Sequence, residues 1–174
     1  GHREGRYVTG GITDTVRGVD ADSFRAALAR FASGVVVVTA RDALGAPHGF
    51  TASSFCSVSL RPPLVLVCLA ETATSYDTFT RAADCGISIL AHDQAAVARR
   101  FATRGADKFT DGAFETLPNG TPAVRGALAT LACRIRQRHT AGDHMILVAE
   151  VTHTGEGEGR PMLYFGGAFR ELAP

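Results

Sequence analysis

Residues 48–71 read HGFTASSFCSVSLRPPLVLVCLAE: a strand rich in small hydroxyl residues, a double proline, and a second strand that is almost wholly apolar. A strand that only fills a core carries branched apolar side chains. TASS at 51–54 instead places hydroxyls and minimal side chains at a strand end, which leaves backbone N–H groups and Ser or Thr oxygens free to meet a flat polar ring edge-on. Arg61, Pro62 and Pro63 stop the chain, and PLVLVCLA resumes as a strand expected to be buried on both faces.

Outward from this stretch the pattern stays mainly β. VVVVTA at 35–40 is strongly β-branched, RDALGAPH makes a polar Gly/Pro turn, and the strand from Gly49 completes a hairpin. Before it, Asp22 or Ser23 can cap a helix whose Phe24, Leu28 and Phe31 fall on one side, with Gly34 past its end; that helix is expected to cover a core. After it come a short helix over 75–83, the strand CGISILA, and a helix from about Asp93 to Ala102. The stretch from Thr103 to Pro122 reads as a long loop of the kind that carries function. Residues 131–138 alternate as a half-buried strand, with Arg134, Arg136 and Arg138 on its solvated or subunit-facing side. AGDHMILVAEVTHT and PMLYFGGAFREL supply the last strands, and GEGEGR at 155–160 reads as a hairpin turn. Six or seven strands joined by short links favour antiparallel closure into a barrel over a doubly wound sheet.

Length and charge narrow the function. The chain has 174 residues and 45% apolar composition, enough for one domain with a sizeable core. Lys plus Arg total 18 against 17 Asp plus Glu, so the basic footprint of a nucleic-acid protein is missing. The longest apolar run, Leu64 to Ala70, is far shorter than the roughly 20 residues that span a bilayer, so no membrane role is expected. The start, GHREGRYVTGG, has no signal-peptide core and opens like a tag remnant; residues 1–18 are expected to be a flexible arm and 19–174 the domain. Cys56, Cys68, Cys85 and Cys133 are widely spaced in apolar segments and fit buried free thiols of a reducing cytoplasm. His and Cys show no metal-ligand spacing, so no metal is expected.

No GxGxxG and no GxxxxGK[ST] occurs, and GEGEGR lacks their spacing and carries two glutamates. The ordered blocks GFTASSFCSVSLRPPLVLVCL, SYDTF at 75–79, FATRGADKF at 101–109, AGDH at 141–144 and PMLYFGGAFREL resemble the flavin reductase family. The likeness runs from about Phe24 to Leu172. It is most similar to reductase components of two-component flavin-dependent monooxygenases, including those of actinomycete natural-product and antibiotic pathways. The resemblance implies an antiparallel split β-barrel with a few short helices. It also implies a cytoplasmic homodimer that uses NADH to reduce free FAD or FMN and hands reduced flavin to a separate monooxygenase.

The resemblance also marks site residues. Thr51, Ala52, Ser53 and Ser54 would meet the flavin ring edge, or else form a small-residue strand packed on a neighbour. Leu69, Ala70, Thr74 and Ser75 mark a turn into a helix N-terminus suited to the flavin phosphate, where Thr74 or Ser75 also serves as an N-cap. Arg100, Phe101, Arg104, Lys108 and Phe109 would meet phosphate, flavin or nicotinamide, or be solvated cations and core rings. His144 matches a histidine that contacts the nicotinamide nucleotide, a placement role because hydride transfer needs no general base; its alternative is a surface turn. Asp143 reads as a turn residue. Tyr164 and Phe165 would wall the nicotinamide or pack the core. Gly166 and Gly167 depart from the larger residues of relatives, which weakens contacts carried over to the last strand. Two rival readings are a split barrel that keeps FMN and acts directly on an organic substrate, and a non-catalytic flavin-binding module.

Overall fold

The computed structural model describes residues 18–110 and 112–173, together with the backbone of 8–9 and 12–13. In that N-terminal stretch β1 (Val8–Thr9) pairs with β2 (Ile12–Thr13); the expectation of a flexible arm otherwise falls outside the described residues.

The elements follow as α1 (Ala21–Leu28), β3 (Ser33–Gly34), β4 (Val36–Arg41), β5 (Pro47–Ala52), β6 (Cys56–Ser59), β7 (Leu64–Ala70), α2 (Tyr76–Arg81), β8 (Asp84–Ile89), α3 (Ala95–Ala102), β9 (Phe114–Thr116), β10 (Pro122–Val124), β11 (Ala129–Ala141), β12 (His144–Glu156), β13 (Met162–Phe165) and β14 (Ala168–Glu171). Seven strands form one antiparallel sheet in the order β5-β4-β8-β11-β12-β7-β6. Its edges, β5 and β6, are consecutive in the chain but do not pair with each other. Three residues, Ser53, Ser54 and Phe55, carry the chain across that gap. The sheet is therefore a barrel left open at one seam, and the TASS run lies at the seam.

Strand periodicity explains why β4 is so apolar. Val36, Val38 and Ala40 enter the main core with Phe50, Val67, Phe79, Ile87, Ile135 and Leu147. The alternate residues Val35 and Val37 enter a second core with Leu90, Ala98, Phe101, Val124 and Met162, beneath α3 and the small sheet β14-β13-β3. Both faces of the strand are covered, so both are apolar. In β7 only Val65, Val67 and Leu69 are buried, whereas Leu64, Leu66, Cys68 and Ala70 are half-buried. The expected two-sided burial fails there because neither α3 nor the small sheet extends over that part of the main sheet.

Other expectations change as well. Asp20, not Asp22 or Ser23, caps α1, accepting the Ser23 N–H at 2.8 Å. The helix does not cover a core: Phe24, Leu28 and Phe31 are 55%, 57% and 77% exposed. Among the described residues none packs a core against that face. The tie at its C-terminal end is backbone, Gly166 N–H donating to Ala29 C=O at 2.8 Å. The segment Thr103–Pro122 is less of a loop than its composition suggested, since β9 pairs with β10. GEGEGR is not a hairpin turn: β12 pairs with β11 and β7, β13 with β14 and β3, so Gly157–Arg160 links two sheets. Cys56 is exposed, against expectation, and Cys68 is half-buried. The other two thiols are buried, and Cys85 is pushed well up by a hydrogen bond with Cys133 and by burial.

Candidate functional site at the barrel seam

An edge strand presents unpaired N–H and C=O groups along its outer side. Among the described residues β5 pairs only with β4, so its outer edge is open along Pro47–Ala52. Two clefts border this strand. One, of about 350 Å³, is lined by Pro47, His48, Gly49, Thr74, Ser75, Lys108 and Phe109, among others. The other, of about 280 Å³, is lined by Val35, Thr51, Ala52, Ser53, Ala102, Tyr164 and Phe169.

Helix α3 fixes the strand between them. Thr51 Oγ1 donates to Ala98 C=O at 2.6 Å. Gly49 lets the helix approach, because a Cβ there would lie 2.7 Å from Phe101 Cε1. Phe101 in turn stacks edge-on against Phe109 with centroids 5.1 Å apart, which anchors the far end of the loop that roofs the first cleft. That loop is held twice more: Arg100 donates to Thr110 Oγ1 at 3.0 Å, and Arg104 donates to Thr72 C=O.

Of the hydroxyls in TASS, two are used internally. Ser54 Oγ accepts the Cys68 N–H at 3.1 Å and donates to the Cys68 C=O at 3.3 Å. Strand β6 reaches only as far as Leu66 on that side of β7, so Ser54 satisfies backbone groups that have no strand beside them. Ser53 is exposed and lines the second cleft.

The remaining sequence-derived residues fall into groups. Thr74, Ser75, Lys108 and Phe109 meet in the first cleft, and Thr51, Ala52, Ser53 and Tyr164 in the second. Ser75 occupies the N-cap position of α2 without a side-chain capping bond, and is 4% exposed. Burial lowers the Lys108 pKa from its ordinary value. Leu69 is core and Ala70 lies in register with His144. Phe101 is core, and Arg100 and Arg104 serve the loop. His144 Nδ1 lies 2.6 Å from Asp143 Oδ1 at the exposed start of β12; that hydrogen bond holds the Asp143 carboxyl below its ordinary value. His144 lines neither cleft. Sequence reading passed over His48, Gly49 and Phe169. The turn Asp-x-x-Gly-x-Pro-His was the one available signal for His48, because a turn aspartate can hold a side chain that far on.

Arg134, Arg136 and Arg138 do different work. Arg136 pairs with Glu150, while Arg138 donates to the carbonyls of Phe79 and Ala82 at the C-terminal end of α2. Among the described residues no group of His, Cys, Asp and Glu is arranged to hold a metal ion, and no helix is long and apolar enough to cross a membrane.

An open seam, an edge strand of small polar residues and apolar walls on both sides define a split barrel of the flavin-binding class. The flavin reductase like domain model matches residues 28–173. The chain belongs to the flavin reductase family. It is 45% identical over 154 residues to actinorhodin polyketide dimerase of Streptomyces coelicolor, covering 88% of this chain and 87% of that one. It is 42% identical over 168 residues to the NADH:riboflavin 5'-phosphate oxidoreductase of Streptomyces pristinaespiralis, covering 94% and 96%. Among solved structures, Streptomyces globisporus C-1027 NADH:FAD oxidoreductase SgcE6 in complex with NAD and FAD fragments superposes with a TM-score of 0.84. Its identity is 36%, with 89% of this chain and 94% of that chain covered.

Proposed function

We propose that the protein transfers hydride from NADH to a free flavin, FMN or FAD, and releases the reduced flavin to a separate flavin-dependent monooxygenase. The observation that carries this reading is the open edge of β5, with its small-residue run, in a member of the flavin reductase family. Relatives support the substrate classes by their names. One is the 4-nitrophenol 4-monooxygenase/4-nitrocatechol 2-monooxygenase reductase component of Rhodococcus opacus, 41% identical over 156 residues.

A bound flavin supplies the hydride acceptor, and the protein supplies placement and charge stabilisation. Hydride arrival drives negative charge toward the polar edge of the ring, where N–H donors lower the barrier. The open edge of β5 and the Ser53 hydroxyl offer such donors. Thr74, Ser75 and Lys108 face the phosphate end, and Tyr164 and Phe169 wall the ring. His144, aligned by Asp143, holds the nicotinamide nucleotide. The flavin exchanges freely, because it must leave in reduced form.

The protein works in the cytoplasm as a homodimer, in which a second subunit covers the apolar face of α1. Val19, Phe24, Leu28 and Phe31 are each more than half exposed among the described residues. The test of function is initial-rate NADH oxidation with FMN, FAD and riboflavin in turn.

A second reading is a split barrel that keeps FMN and acts directly on an organic substrate; the name of the Streptomyces coelicolor relative, a polyketide dimerase, favours direct action on such a substrate. Yellow protein that keeps its flavin through gel filtration, and turns over added flavin slowly, distinguishes that case.

A further inference from the structure

His48 lines the first cleft. Its Nε2 lies 2.9 Å from Asp42 Oδ2. Asp42 is itself immobilised: its Oδ1 accepts the N–H groups of Leu44 at 2.9 Å and Ala46 at 3.0 Å, and its backbone N–H donates to Ala46 C=O at 2.9 Å. The hydrogen bond from His48, followed by that from Ala46, lowers the Asp42 pKa. An ionised carboxylate only accepts, so His48 Nε2 must be the protonated nitrogen of this pair. The ring is thereby aimed. His48 lines the cleft that holds Thr74, Ser75 and Lys108, whereas Asp42 lines a neighbouring one with Arg41, Asp77 and Arg81. The pair thus lies between the two clefts, and among the described residues His48 Nδ1 makes no hydrogen bond.

We propose that His48, held by Asp42, recognises the flavin phosphate, so that the protein separates FMN from riboflavin. This rests on the flavin-reductase reading. Phosphate on one side and Asp42 on the other can each take a hydrogen bond from the ring. Lys108 brings a cation to the same cleft, and Thr74 and Ser75 supply hydroxyls. Asp107 is the one carboxylate of this lining, and it is exposed at the rim. Such a site discriminates by charge, a feature that FMN has and riboflavin lacks. Asp42 acts through the ring as a positioning residue.

The experiment is steady-state NADH oxidation by the full chain with FMN and with riboflavin, for wild type, His48→Gln and Asp42→Asn. Loss of one charge-assisted hydrogen bond is worth roughly tenfold in affinity. His48→Gln is therefore expected to raise the KM for FMN about tenfold, with the riboflavin KM within about twofold and kcat kept. Asp42→Asn, which keeps an oxygen for the turn N–H groups, is expected to raise the FMN KM by a smaller factor and again spare riboflavin. Equal shifts for the two flavins, or no shift in either variant, overturn the assignment while leaving flavin reduction intact. Failure of wild type to reduce any flavin overturns the functional reading itself.

Discussion

Ser54 bonds to both the N–H and the C=O of Cys68, at 3.1 and 3.3 Å, across the seam that keeps the barrel open. In a closed barrel a strand would occupy that position and satisfy those groups with its own backbone. Here one side chain does so, at the point where β6 ends. The seam is tied there, and among the described residues the β5 edge beyond it stays unpaired.

Ser54→Ala removes that tie. Two hydrogen bonds at an exposed position are worth about 1 kcal/mol together. A lowered urea midpoint with an unchanged slope is expected, since the compactness of the chain is not altered. No change in midpoint contradicts the tie.

Gly49→Ala places a methyl group 2.7 Å from Phe101 Cε1 and 2.9 Å from the Val38 carbonyl oxygen. The ring is core and the carbonyl belongs to the β4 ladder, so neither yields easily. Overpacking of this kind costs about 1–3 kcal/mol. Thermal unfolding is expected at a lower temperature, with weaker flavin affinity because α3 and its following loop move off the cleft.

Thr39 is fully buried and its Oγ1 donates to Pro122 C=O at 2.6 Å, holding the β9–β10 hairpin against the barrel. Thr39→Val keeps the shape and leaves that carbonyl unpaired, at a cost of roughly 1–3 kcal/mol. Thr39→Ser is expected to recover most of the loss. If both variants unfold alike in urea, the hydroxyl is not what holds the hairpin.

His144→Ala is expected to raise the KM for NADH about tenfold, the loss of one well-placed hydrogen bond, with flavin affinity kept. Unchanged NADH kinetics would remove His144 from the site.

If a second subunit covers α1, the pair Phe24→Ser and Leu28→Ser should shift the sedimenting species from dimer to monomer. Wild-type protein that sediments as a monomer at micromolar concentration contradicts the dimer.

The sequence was most legible where one physical signal acted alone. The β-branched run at 35–40 and the Gly/Pro turn after it gave the β4–β5 hairpin, but the double-sided burial expected for β7 belongs instead to β4, because the second core forms under α3 and not over β7. The helix over 21–28 was legible as a helix, yet its apolar face did not say which chain would cover it. GEGEGR looked like a hairpin because turn composition is local, whereas the change of sheet is made by Leu163 and Tyr164 pairing with the distant Gly34 and Ser33. TASS was legible as a strand end built of small polar side chains. That Thr51 and Ser54 spend their hydroxyls on Ala98 and Cys68, leaving Ser53 free, depends on neighbours 47 and 14 residues away. His48 was hidden for the same reason: its meaning lies in Asp42 and in a cleft wall, not in any spacing.

The central claim is hydride transfer to a flavin that comes and goes. It is tested most directly by mixing substoichiometric protein with NADH and excess FMN without oxygen, and following NADH absorbance and flavin bleaching together. The account predicts many turnovers, one NADH consumed per flavin bleached, with the reduced flavin passing freely through a filter that retains protein. Bleaching that stops at one equivalent of protein, or none with FMN, FAD or riboflavin, would contradict it.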